Sequence, residues 1–179
     1  MRADPLGVAV PVLETERLRL RAHRADDYDA YVAMWAEPTV IRHIGDGKPL
    51  PAEQAWRRLL HNAGLWVVLG YGYWAVEEKD SGRFVGDVGF ADFRREIQPS
   101  MNGMLEFGWI LAAHAHGKGY ASEAVAAASA WAQAHLPGMR EVCIIAPDNL
   151  GSIRVAEKAG FQLSQQTTYH GSPTLFFSR

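Results

Sequence analysis

The chain has 179 residues, 48% of them apolar and 21% charged, with a formal net charge of −2 at pH 7. That length can bury a core without disulfide or metal staples, and the charge gives no general pull toward nucleic acid or an anionic membrane. The single cysteine cannot form an internal disulfide, no apolar run spans a bilayer, and the scattered histidines lack the partners of a metal site. With no secretory pattern at its start, the sequence reads as a cytoplasmic, metal-free protein of one domain, residues 1–179.

Residues 1–13 show no period and are expected to form a loose lead-in. In "RLRLRAH", Leu18 and Leu20 alternate with arginines, which predicts a half-buried strand. Asp26 or Asp27 then opens a helix with Tyr28, Tyr31, Val32 and Trp35 on one face, expected to close at Pro38. Pro51 begins a second helix whose apolar stripe is Trp56, Leu59 and Leu60. "YWAVEEK" and "RFVGDVGFADF" flank "DSG" as a hairpin. "MLEFGWILAA" follows, with Leu105, Phe107, Trp109 and Leu111 on one face. "YASEAVAAASAWAQAH" has helical spacing, and "REVCIIAP" is an apolar run suited to a strand inside the sheet, with Cys143 buried in it. A short helix, "SIRVAEKAG", ends at Gly160, and the tail folds as two strands around residues 170–173. The predicted architecture is mixed α/β: one central, mostly antiparallel sheet of about seven strands with helices on both faces.

The segment "HAHGKGYASEA" joins a strand to a helix. Gly117 and Gly119 allow close backbone approach, the helix start offers unpaired amides, and Lys118 adds positive charge, so the turn suits a pyrophosphate. A packing turn that binds nothing has the same composition. A P-loop is excluded because Gly119 follows Lys118, and a dinucleotide fingerprint because Ser122 replaces its third glycine.

"EFGWILAAHAHGKGYASEA" followed by "APDNLGSIRVAEKAGF" resembles the acetyl-CoA-binding core of the GNAT superfamily of N-acetyltransferases. With "LETERLRLR" and "DDYDAYVAMWAEP", the resemblance covers nearly the whole chain and is greatest to the ribosomal-protein alanine N-acetyltransferase branch. It implies that the CoA pyrophosphate sits on His116, Gly117, Lys118, Gly119, Tyr120, Ala121 and Ser122. It also implies that the pantetheine arm pairs with the backbone of Trp109, Ile110 and Leu111. His114 stands where the family has Gln or Arg. Asn149 is implied to bond the pantetheine arm, whereas without the glycine turn helix capping alone would account for it. Lys158 matches a family lysine near the cofactor phosphates, and a solvated helix charge accounts for it equally well.

Many members place a tyrosine seven residues after the asparagine to assist the departing thiolate. Ala156 occupies that place here, and the resemblance points to Ser152 instead. Removing the amine proton calls for a carboxylate or water. Glu106, facing away from Phe107 and Trp109, is the first candidate, Asp87 the second, and Glu123 is better explained by the helix dipole. Trp35, Trp66, Tyr71, Tyr73 and Trp74 are candidate acceptor walls, and His43, Asp46 and Tyr169 are polar candidates. The reading is transfer of acetyl from acetyl-CoA to a primary amine, either a protein N-terminus or a small amine. The rival is an acetyl-CoA-binding sensor without turnover. Oligomeric state, including a homodimer, is left open.

Overall fold

The computed structural model describes residues 9–179. In chain order the elements are strands β1 (Leu13–Glu14) and β2 (Leu18–Arg21), helices α1 (Tyr28–Ala36), α2 (Pro38–Ile41) and α3 (Ala52–Leu69), then strands β3 (Tyr73–Glu78), β4 (Phe84–Ala91) and β5 (Leu105–Leu111). Helix α4 (Tyr120–His135), strand β6 (Glu141–Ile145), helix α5 (Leu150–Lys158) and the hairpin β7 (Gln162–Tyr169) with β8 (Ser172–Ser178) complete the chain.

The strands form one sheet in the order β1-β2-β3-β4-β5-β6-β8-β7. It has eight strands, one more than expected, because Leu13 and Glu14 pair with Leu20 and Arg19. Two residues are too few to show alternation in the sequence. The expected lead-in therefore ends before residue 13, and its first eight residues lie outside the described ones.

One face of the sheet presents Leu18, Leu20, Trp74, Val76, Val88, Phe90, Phe107 and Leu111 to Ala124, Val125 and Ala128 of α4. The small side chains of α4 let it lie close, and the aromatic rings fill the remaining space. The other face presents Ala75, Phe84 and Ile110 to Tyr31, Trp35, Ile41 and Leu59 of the first three helices.

Two local expectations need correction. Pro38 does not simply close α1: it forces Glu37 into an extended conformation and then serves as the first residue of α2. Leu60 is not part of the buried stripe of α3, being 49% exposed, whereas Ala55, Leu59, Asn62, Leu65 and Trp66 are buried. Asn62 is a polar residue on the inward face, which a purely apolar pattern passes over.

Strands β5 and β6 are the parallel neighbours, and they pair at only two positions, Leu105 with Glu141 and Glu106 with Val142. Beyond Glu106 the two strands part. β5 continues along β4 as far as Leu111, while β6 continues along β8. A cleft opens between them, and among the described residues the edge of β5 over residues 107–111 has no strand on that side.

Candidate active site

The turn from β5 to α4 closes the wide end of this cleft. Gly117 and Gly119 have φ of +73° and +80°, a region costly for any residue with a Cβ, and Gly119 is the N-cap of α4. Among the described residues, the backbone amides of Gly117, Lys118, Gly119, Tyr120, Ala121 and Ser122 have no acceptor. They gather at the positive end of the α4 dipole. The turn is braced from behind by Arg17, which donates to the Lys118 carbonyl oxygen at 2.9 Å and pairs with Glu123 at 2.6 Å. Burial opposes ionisation of Glu123, but the Thr15 hydroxyl and Arg17 outweigh it and hold the carboxyl below its ordinary value. Glu123 is thus a clamp between the β1–β2 turn and α4, beyond the dipole role expected of it.

The Lys118 ammonium lies 3.8 Å from Glu78, which also accepts from the Tyr120 hydroxyl, so its charge is shared with the end of β3. His116 turns its Nε2 to the Leu111 carbonyl oxygen at 2.8 Å. Since a carbonyl only accepts, Nε2 carries the hydrogen. His114 is pushed below its ordinary pKa by burial, then by Arg83 and Lys118, and its Nε2 is buried without a partner among the described residues.

On the α4 side of the cleft the Trp109 indole donates to Ser152 Oγ at 3.2 Å, joining β5 to α5. This leaves the Ser152 hydroxyl hydrogen available. Asn149 caps α5, its Oδ1 accepting from the Ser152 amide at 3.1 Å, and its amide nitrogen has no acceptor among the described residues. The cap thereby fixes the position of Ser152. Lys158 is the last residue of α5, exposed and six residues beyond Ser152, roughly 9 Å along the helix.

Glu106 stands on the opposite face, at the point where the cleft begins, and is 6% exposed. Arg95 Nε donates to its Oε2 at 2.6 Å, and Arg95 Nη1 donates to the Tyr169 hydroxyl at 2.9 Å. Burial pushes the Glu106 carboxyl above its ordinary value against the opposing pull of Arg95. Tyr169 therefore belongs to this cluster. Arg95 was not among the sequence candidates, and nothing in "FRREIQPS" singles it out. A surface hollow of about 740 Å³ is lined by residues 94–98, Ser100, Asn102, Thr167 and Thr168, and Arg95 is the lining residue that also reaches Glu106.

Asp87 is 1% exposed and both its oxygens are engaged. His23 Nε2 lies 2.8 Å from Oδ1, and Asn62 Nδ2 donates to Oδ2 at 3.1 Å and lies 3.2 Å from the Tyr31 hydroxyl. This network ties β4 to α1 and α3 inside the protein, and the sequence did not point to His23 or Asn62 as part of it. Trp35, Trp66, Tyr71 and Trp74 are buried core residues, which leaves Tyr73 as the candidate wall that remains partly exposed. His43 Nδ1 lies 3.3 Å from Asp148, bringing the connection after α2 beside the turn into α5. Asp46 pairs locally with Lys48 on the surface.

These residues fit a cosubstrate that carries a pyrophosphate on an extended amide arm. Converging free amides suit the phosphates, and the bare edge of β5 suits the arm. Among the described residues there is no cluster fit to hold a metal ion, and no helix is long and apolar enough to cross a membrane.

A family model, the acetyltransferase (GNAT) domain, matches residues 17–162. The uncharacterized N-acetyltransferase YjdG of Bacillus subtilis (strain 168) is 33% identical over 162 residues, which are 87% of this chain and 92% of that protein. A solved GnaT-family chain from Bordetella pertussis is 30% identical, with a TM-score of 0.82 over 95% of this chain and 99% of its own. The fold is shared with RimL, a ribosomal L7/L12 alpha-N-protein acetyltransferase solved in complex with coenzyme A, at 19% identity and a TM-score of 0.74 over 94% of this chain and 97% of that one. The chain belongs to the GNAT acetyltransferase family and is an acetyl-CoA-dependent N-acetyltransferase that acts on an amine.

Proposed function

We propose that the acceptor is the α-amino group of a protein chain, as in the ribosomal-protein branch, and that the whole chain acts as one catalytic domain in the cytoplasm. The observation that carries the proposal is the fork between β5 and β6, with the Trp109-bound serine hydroxyl on one face and a buried carboxylate on the other. Reaction at a thioester carbonyl needs this polarity. A proton must leave the amine on the side of attack, and the sulfur must be met by a donor on the side of departure.

Acetyl-CoA supplies the activated carbonyl, so no covalent enzyme intermediate is needed. The amides of residues 117–122 hold its phosphates, and the edge formed by Trp109, Ile110 and Leu111, with the Asn149 amide group, holds its arm. Lys158 adds charge toward the phosphates from the far end of α5. Ser152 donates its hydrogen toward the leaving sulfur, and the Trp109 bond to its oxygen strengthens that donation. Glu106 takes the amine proton directly or through a water. Burial raises its pKa above that of an ordinary glutamate, which makes it a stronger base for that proton. The resemblance to the ribosomal-protein branch favours a protein N-terminus over a small aliphatic amine. RimL, named for α-N-acetylation of a ribosomal protein, shares the fold and supports the same choice.

The test presents acetyl-CoA with peptides beginning in Ala or Ser, the same peptides with a blocked N-terminus, a blocked lysine peptide, and spermidine. Mass spectrometry should find acetylation of the free α-amine alone. Acetyl on lysine or spermidine with none on the α-amine would contradict the proposal.

A further inference from the structure

Tyr73, Gly89 and Gly108 lie in one row across β3, β4 and β5, with Tyr73 paired to Gly89 and Gly89 paired to Gly108. Neither glycine tolerates a side chain in this arrangement. A Cβ on Gly89 would come within 2.4 Å of the Gly72 oxygen and the Tyr73 Cα, and a Cβ on Gly108 within 2.2 Å of the Tyr73 hydroxyl oxygen. The tyrosine ring is thus laid across a lane of missing side chains, and its hydroxyl is delivered two strands away from its own backbone.

Gly108 is two residues beyond Glu106, on the same face of β5, and follows directly on the point where β5 and β6 part. Ser152 meets the next residue, Trp109, from the opposite face. The Tyr73 and Ser152 hydroxyls therefore flank the same two residues of β5 from opposite sides. Phe93 supports the arrangement, its ring centroid 6.2 Å from that of Tyr73, with the Arg95 guanidinium 4.9 Å from the Phe93 ring centre. The Tyr73 hydroxyl makes no hydrogen bond to any described residue, and the residue as a whole is partly exposed although its phenol end is enclosed.

We infer that Tyr73 is the acceptor-side contact of the reaction, its phenolic oxygen taking a hydrogen bond from the attacking amine and turning the nitrogen toward the cleft. The inference rests on the acetyltransferase reading of the cleft and adds to it a residue that aims the nucleophile. Burial and then the charge of Glu106 push the phenol well above its ordinary pKa. The group therefore stays protonated and orients the amine, leaving proton removal to Glu106. Tyr73→Phe keeps the ring in its lane and deletes only the contact.

Tyr73→Phe should lower kcat/KM for the amine by about 10-fold or more while calorimetric acetyl-CoA affinity stays within about twofold of wild type. Unchanged kcat/KM, or a parallel loss of acetyl-CoA affinity, would overturn the contact. A second measurement checks placement without activity. Gly108→Ala should lower the Tm of the wild type more than that of Tyr73→Phe, because the new methyl collides chiefly with the hydroxyl. Equal Tm losses in the two backgrounds would overturn the placement. The wild-type arm separates the two levels: transfer by wild type and Tyr73→Phe alike sinks only Tyr73, whereas no transfer by wild type to any amine sinks the site and Tyr73 with it.

Discussion

On the α4 side of the cleft, what is offered to a ligand is mostly main chain: six amides at a glycine turn and the bare edge of β5. On the α1–α3 side it is side chains from four separate segments, with Tyr73 from β3, Arg95 from the loop after β4, Glu106 from β5 and Tyr169 from β7. In the proposed reading the backbone site recognises the part that stays the same from one reaction to the next, the pyrophosphate and amide arm of the cosubstrate. A side-chain site can be changed one residue at a time without disturbing the turn, so acceptor choice can vary while cosubstrate binding is kept.

The largest expected effect falls on the scaffold of the acceptor side. Asp87→Ala leaves His23 and Asn62 facing a void inside the protein and should cost about 3–5 kcal/mol, lowering Tm by roughly 10 °C in a thermal melt. A variant with unchanged Tm but no turnover would instead make Asp87 part of the chemistry. Next comes the backbone side. Gly119→Val places a β-branched residue at φ +80°, with strain of about 2 kcal/mol, and should weaken acetyl-CoA binding about 30-fold by calorimetry. Full affinity would mean that the turn does not hold the phosphates.

Ser152→Ala should lower kcat about 20-fold with acetyl-CoA affinity retained, because its donated bond matters most as negative charge builds on sulfur. Equal loss in kcat and affinity would make it a binding contact only. Glu106→Gln should show the smallest loss, about 10-fold near neutral pH. Its sign with pH is fixed by the direction of the shift. Burial raises the Glu106 pKa, so wild-type activity falls, on going down in pH, at a higher pH than for an ordinary glutamate. The variant should lose that acidic limb and converge on wild type as pH approaches the pKa of the amine itself. An unchanged pH profile would remove Glu106 from proton transfer.

The same contrast explains how far the sequence could be read. The turn, the span of α4, the cap at Asn149 and the orientation of Glu106 rest on short-range signals: glycine conformation, helical period and strand alternation. Each is written within about one element. The acceptor side rests on register across strands. That Tyr73 lies over Gly108 depends on two pairings that link residues 35 apart in sequence, and Arg95 meets Glu106 only because the β4–β5 loop folds back. Asn62 was hidden for a related reason, since a polar residue on the buried stripe of α3 becomes meaningful only once Asp87 and Tyr31 are seen beside it. Ser152 stood between the two cases: its place on α5 was legible, but its bond to Trp109 was not.

The most direct test of the account is the release of free CoA thiol from acetyl-CoA by the wild-type protein, measured without acceptor and with Ala- and Ser-initiated peptides. Release that depends on the free α-amine is the expected result. Calorimetric binding of acetyl-CoA without acceptor-dependent release from any amine would contradict it.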